Sequence, residues 1–251
     1  MKKNRELEMS IYEHLDELRR RLIWVMVTLV IAVAVSFTFA DTALAIITRP
    51  VGNLVMLRPS EGLLVRIRLA LWMGLVLNSP VILYHALAYV LPALTRREKI
   101  GLFIFLPAGL LFFAAGATFS FLVIVPYIYS FLLGFSSESL QPFISVDNYV
   151  SFVTNLVIPF GVIFELPVVV LLLTSLGVIT PSFLARNRKY AVLIIFVAAA
   201  LLSPPDVISQ VIMGLPLLGL YEFSILLSRL IYRRRQKVES EETETDHSAE
   251  P

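Results

Sequence analysis

The chain contains no cysteine. It therefore has neither a disulfide framework nor thiol chemistry, although the absence leaves its compartment open. Charge is scarce as well: Asp, Glu, Lys and Arg make up 16% of the 251 residues, where soluble domains carry about a quarter. Enzyme signatures are missing, with no G-x-S-x-G, no H-E-x-x-H and no G-x-x-x-x-G-K-[ST]. The three histidines, His14, His85 and His247, stand far apart without ligand spacing, so neither a metal nor another cofactor is expected. No continuous basic and aromatic surface lies outside the apolar runs, which argues against a nucleic-acid partner.

What the chain has in quantity is apolar sequence. Hydrophobic residues make up 57%, and the mean hydropathy is +0.81. A membrane span needs about 20 apolar residues, and several runs meet that length. The first follows Arg19, Arg20 and Arg21 and precedes Ala43-Leu44-Ala45, which mimics a signal-peptidase site. At 22–40 it exceeds the roughly 7–15 residues of a signal-peptide core, so it reads as a first span. Glu6, Glu8, Glu13, Asp16 and Glu17 make the N-terminal region too acidic for a transit peptide.

Six spans are expected, at about 22–40, 67–91, 101–133, 148–176, 190–203 and 208–230. Ahead of the first, Ser10 and Glu13 form a capping box, and Ile11, Leu15, Leu18 and Leu22 give one apolar face to a surface helix that runs into the span. Asn78-Ser79-Pro80 is read as an interruption of the second span. The third exceeds one bilayer thickness and must tilt or project. Ser203-Pro204-Pro205-Asp206 divides the last apolar stretch, because proline lacks a donor and disfavours helix in the residue before it. The fifth span is then shorter than a bilayer, and Asp206 can cap the sixth. Residues 95–99, TRREK, read as a loop. The expected organisation is one membrane domain over 1–232 and a disordered acidic tail over 233–251.

Lys and Arg set the orientation. One side of the membrane receives 17 of them, from Lys2, Lys3 and Arg5 through the 19–21, 96–99 and 186–189 clusters to Arg229, Arg233, Arg234, Arg235 and Lys237. The other receives 4: Arg49, Arg58, Arg66 and Arg68. Both termini are therefore expected in the cytoplasm.

The remaining signals are polar groups at or inside the membrane. Glu17 and Glu98 read most simply as solvated partners of neighbouring arginines. The topology, however, puts both at the cytoplasmic face, where carboxylates suit a guanidinium-bearing ligand. Glu165, Gln210 and Glu222 fall inside spans. An ionisable group there costs about 3 kcal/mol and marks function by default, against the plainer reading of a polar contact between helices. Glu165 used as a proton-coupled site would make the chain a small-solute transporter, but such folds show internal repeats and none is visible here.

Four segments in order, HLDELRRRL at 14–22, SPVILYHALAYVLPALTRRE at 79–98, FGVIFELPVV at 160–169 and SPPDVISQ at 203–210, resemble the TatC family. These are the polytopic receptor subunits of the twin-arginine protein translocase, and the resemblance extends from about Ser10 to Arg235. It implies an all-α fold of six helices in a concave, glove-like arrangement with short fifth and sixth helices. It also implies a non-enzymatic role in the bacterial inner membrane. The family binds twin-arginine signal peptides of folded cargo at the cytoplasmic face, recruits TatA- and TatB-like single-span partners, and works in a lipid bilayer, as a homo-oligomer, on the proton-motive force. Carried over by motif, the signal-peptide site is Glu17, Arg19, Tyr89 and Glu98; Tyr89 stands where the family usually has Phe. Partner docking maps to Ser203 and Gln210; many members carry Thr in place of Ser203 and some Met in place of Ala200. Pro50 and Asp206 match further family positions.

Overall fold

The computed structural model describes residues 11–51, 54–90, 96–137, 143–203 and 206–247. Its elements are α1 (Ile11–Phe37), α2 (Ala40–Thr48), α3 (Glu61–Val90), α4 (Arg96–Phe119), a π-helical turn (Ser120–Ile124), α5 (Val125–Leu133), α6 (Val146–Ile163), α7 (Leu166–Ser175), α8 (Pro181–Arg186), α9 (Arg188–Leu202) and α10 (Val207–His247). Among the described residues there is no strand beyond an isolated parallel bridge between Val55 and Ser145. Among the described residues five segments are long and apolar enough to cross a membrane: Leu15–Phe37, Glu61–Tyr89, Phe105–Leu133, Val146–Ser175 and Val207–Arg233. The expected fifth span is α9, whose 15 residues reach about 22 Å at 1.5 Å per residue, short of the roughly 30 Å hydrocarbon core.

Several boundaries differ from those expected. The second span is not interrupted: α3 passes through Pro80 unbroken. Proline forfeits one backbone bond, whereas breaking the helix in lipid would strand several. The fourth span, read as continuous, is divided at Phe164–Glu165. Pro167, at the start of α7, cannot donate to the carbonyl four residues earlier, which eases the break there. Residues 96–99 are helical rather than the expected loop: α4 begins at Arg96 and takes Glu98 into its first turn, where a carboxylate suits the helix dipole. The segment 233–247, expected as a disordered tail, continues α10; its Arg, Gln, Lys and Glu residues are all good helix formers. The short helices α2 and α8 were not anticipated. The capping residue Ser10 lies outside the described residues.

The chain forms two compact units, residues 1–106 with 143–151 and residues 107–142 with 152–251. In the first, α1 and α3 pack antiparallel. Val33 meets Gly74, and nearer the α1 N-terminus Asn78 Nδ2 donates to the Val25 carbonyl at 3.2 Å. Gly74 is what permits this closeness, since a Cβ there would stand 2.8 Å from the Val33 backbone. Val65 and Leu69 of α3 bury against Val150 of α6, flanked by Ala43, Leu44 and Ile47 of α2. Polar ties hold the same end. Glu61, 6% exposed, accepts from the Leu57 amide at 3.2 Å and the Ser145 hydroxyl at 3.0 Å. Arg68 Nη1 donates to Asp147 Oδ1 at 2.6 Å and to the Ser151 hydroxyl. Arg66 Nε donates to Asp41 Oδ1 at 2.7 Å.

In the second unit, Gly116 faces Phe160 and Phe164, and Gly161 faces the Phe113 ring. The buried hydroxyls of Thr174 and Ser228 meet at 2.8 Å and join α7 to α10. After α7 the chain turns at Gly177, whose φ of 73° lies in the left-handed region that glycine tolerates. The Gly177 amide donates to the Thr174 carbonyl and that of Val178 to Leu173, the paired bonds of a Schellman motif. Tyr221 Oη donates to the Leu184 carbonyl at 2.9 Å, fastening α8 to α10.

Two substitutions separate close packing from helix propensity. Gly219 has nothing within 4 Å of an added Cβ, so Gly219→Ala should be neutral or stabilising by up to about 1 kcal/mol. Gly74→Ala meets backbone and should lower the thermal midpoint of the detergent-solubilised protein; equal midpoints for the two variants would contradict the close α1–α3 approach. Separately, Glu61→Ala strands two donors and should cost about 2–3 kcal/mol of unfolding free energy in a denaturant titration. Glu61→Gln, which keeps an acceptor, should lose less.

Candidate functional site

The antiparallel pairing of α1 and α3 fixes where the sequence-predicted receptor residues fall. From the Asn78–Val25 hydrogen bond, Glu17 lies eight residues back along α1 and Tyr89 eleven residues on along α3. At 1.5 Å per residue, these are displacements of about 12 and 16 Å toward the same end. The chain then needs only the short connection 91–95 before α4 starts at Arg96. The first turn of α4, with Glu98, therefore begins at that end too. The Glu98 side chain lies outside the described residues.

Glu17 is part-buried and already engaged: its Oε1 accepts from Arg21 Nε at 2.9 Å and also from Arg21 Nη2. The acid precedes the base by four residues, the favoured order on a helix, where such a pair is worth about 0.3–0.5 kcal/mol. Arg19 is exposed and, two residues from Glu17, lies on another face. The Tyr89 ring is half-buried.

The residues expected to dock partners cluster where α9 gives way to α10. Ser203 is the C-cap of α9, with extended backbone, and its amide donates to the Ala199 carbonyl at 2.8 Å. Asp206 caps α10, accepting from the Ser209 amide on Oδ1 at 2.6 Å. Gln210 turns back across the junction, donating from Nε2 to the Phe196 carbonyl at 3.0 Å. That bond uses half the amide and leaves Oε1 as an acceptor. Pro50 is exposed in the turn after α2.

The two carboxylates expected inside the membrane have different settings. Glu222 is about half exposed and pairs with Arg188 Nη2 at 2.8 Å, so the start of α9 supplies its countercharge. Glu165 occupies the break between α6 and α7, and its Oε1 is buried without a partner among the described residues. A break in a helix leaves backbone groups out of the ladder, so the polar side chain and the polar backbone share one place.

Sequence reasoning missed the ties at the opposite end of the first unit: Glu61 to Ser145, Arg68 to Asp147 and Ser151, and Arg66 to Asp41. A signal existed. Arg66 and Arg68 sit in an apolar run just as Glu165 does.

Comparison with known proteins follows the same lines. The family profile described as "TatC: Sec-independent protein translocase protein (TatC)" matches residues 13–216. A TatC from Carboxydothermus hydrogenoformans is 38% identical over 228 residues, covering 89% of this chain and 94% of the relative. A TatC from Aquifex aeolicus is 40% identical over 239 residues, covering 92% of this chain and 99% of the relative. A crystal structure described as the twin arginine translocase receptor TatC superposes with a TM-score of 0.80 at 41% identity, covering 87% of this chain and 99% of that one. The same helical fold, shared over nearly the full length of these proteins, makes the chain a member of the TatC family of Sec-independent protein translocase proteins.

Proposed function

We propose that this membrane protein is the receptor and core subunit of a twin-arginine translocase in a bacterial cytoplasmic membrane. It crosses the bilayer six times, with α9 as the short fifth span and both termini in the cytoplasm. The signal peptide's paired arginines bind at the cytoplasmic end of α1 and α3, between Glu17 and Glu98. Tyr89 packs against the peptide, and Arg19 borders the site. The observation that carries this reading is the antiparallel α1–α3 pairing, which puts Glu17, Tyr89 and the start of α4 at one end. Carboxylates are the matching acceptors for guanidinium groups, because the pair is bidentate and charge-assisted. Since Arg21 already holds Glu17, an incoming arginine must share that carboxylate or displace a partner worth less than 1 kcal/mol.

The junction of α9 and α10 receives single-span partners of the TatA and TatB kind. Because α9 is shorter than the bilayer, Ser203 and Gln210 at its junction with α10 lie poorly shielded from lipid, and a polar side chain on a neighbouring span can reach the open Oε1 of Gln210. Copies of the chain assemble with these partners, and the proton-motive force drives export of folded cargo. Glu165, at the α6–α7 break, keeps that part of the membrane wet.

Each charge-assisted contact is worth about 1.5–3 kcal/mol. Glu98→Ala should therefore weaken signal-peptide binding about ten- to a hundredfold in a direct titration, and replacing the peptide's Arg-Arg by Lys-Lys should do the same. Unchanged crosslinking of the peptide to a Glu17→Ala, Glu98→Ala double variant would sink the assignment.

The role given to Glu165 requires polarity more than charge. Glu165→Gln should retain most transport in a vesicle import assay, and Glu165→Leu should lose more of it at equal abundance in the membrane. Transport by Glu165→Leu at the wild-type rate would make the carboxylate a tolerated packing residue.

A further inference from the structure

An apolar groove of about 730 Å3 runs along α1 and α3. Met26, Val30 and Val33 line one wall and Leu71 and Leu75 the other, with Arg68 the only charged group among the described residues of its lining. A guanidinium in an apolar wall needs an account. Every contact Arg68 makes with a described residue runs through Nη1: to Asp147 Oδ1, to the Asp147 carbonyl and to the Ser151 hydroxyl. No described residue accepts from Nε or Nη2. These two nitrogens form one edge of the planar guanidinium, with parallel N–H bonds spaced to meet two oxygens of a phosphate or carboxylate. The Arg68 side chain is still 35% exposed. It is thus held through Nη1, with its bidentate edge left unengaged by any described residue.

We propose that this groove is a binding site for a membrane glycerophospholipid. Its phosphodiester lies on the Nε–Nη2 edge of Arg68, and one acyl chain runs along the groove toward Leu75 and Met26. The dimensions agree: Arg68 to Leu75 on α3 and Val33 to Met26 on α1 each cover about 10 Å at 1.5 Å per residue, room for the upper part of an acyl chain. A protein helix is a poorer occupant, because its carbonyls are used internally and it offers the edge no acceptor without a carboxylate of its own. The neighbouring charge selects the headgroup. Asp147 already offsets Arg68 at 2.6 Å and is itself 28% exposed. An added phosphodiester without a countercharge would leave excess negative charge where screening is weak. A headgroup bearing an ammonium brings that countercharge and can reach the second Asp147 oxygen. The ligand is therefore a zwitterionic phospholipid with a primary ammonium.

The test uses the full chain reconstituted in vesicles that contain phosphatidylethanolamine or phosphatidylglycerol carrying a diazirine on the acyl chain. After illumination, adducts are mapped by peptide mass spectrometry. The expected result is adducts concentrated on residues 26–33 and 64–75, severalfold above the peptide containing the exposed Leu111 of α4 and stronger from phosphatidylethanolamine. Arg68→Lys, which keeps a cation for Asp147 but has no bidentate edge, should reduce groove adducts about tenfold, the equivalent of one good charge-assisted hydrogen bond. Leu71→Trp should fill the groove and reduce them without touching Arg68. A thermal midpoint close to that of the unsubstituted protein shows that both variants are folded. Labelling spread evenly over the apolar surface would mean ordinary solvating lipid and overturn the site. Wild-type capture by Arg68→Lys would overturn the phosphate contact, and equal capture of both lipids would overturn the headgroup assignment.

Discussion

Hydrocarbon supplies no hydrogen-bond partner, so every backbone group inside the membrane must be satisfied by the chain itself. The rest of this structure depends on that constraint. It explains why helices absorb prolines that would end them in water. Pro80, Pro107, Pro159 and Pro216 all lie inside continuous helices, each forfeiting one bond so that its neighbours keep theirs. It also explains where regularity is given up. The π-helical turn directly precedes Pro126, the α6–α7 break precedes Pro167, and the α9–α10 break carries Asp206 to cap the helix that follows. Each irregularity is paired with a local device that limits the number of stranded groups.

The same economy governs polar side chains. Among the described residues many polar side chains bond back to their own helix, and others tie together elements distant in sequence. Arg68 reaches Asp147, Glu61 reaches Ser145, Thr174 reaches Ser228 and Arg188 reaches Glu222. Burying apolar area cannot hold helices together where lipid is as apolar as the side chains, so association falls to packing of small residues and to such hydrogen bonds. Gly74 against Val33 and Gly116 against Phe164 are the packing half of that arrangement.

Much of this was legible in the sequence, for physical reasons. Long apolar runs are unambiguous, and the paired prolines at 204–205 followed by Asp206 announce a stop and a cap; the short α9 and the Asp206 cap follow from them. The uninterrupted α3 was not legible, because the weight of a single proline depends on its solvent. Neither was the break at Glu165, since Phe164-Glu165-Leu166 carries no turn chemistry of its own. The Arg68–Asp147 tie joins residues 79 apart, and local pattern has no means of showing it. Motifs named Glu17, Tyr89 and Glu98, but only the antiparallel crossing of α1 and α3 says that they share an end.

The π-helical turn at Ser120–Ile124 has a consequence for rotational phase. Gly116, Ser120, Ile124 and Ile128 are all buried, at intervals of four residues. In a regular α-helix such a row drifts by about 40° per step, since four residues turn about 400°. Over three steps the last member would stand about 120° from the first. A π-type turn, closed by i→i+5 bonds, takes up additional chain at this point and recovers part of that rotation. The row can then stay on one side without the helix coiling around its neighbour. The turn thus works as a vernier: it sets which face of α5 is inward independently of α4. One residue more there would put the exposed Val123 and Tyr127 in the places of Ile124 and Ile128.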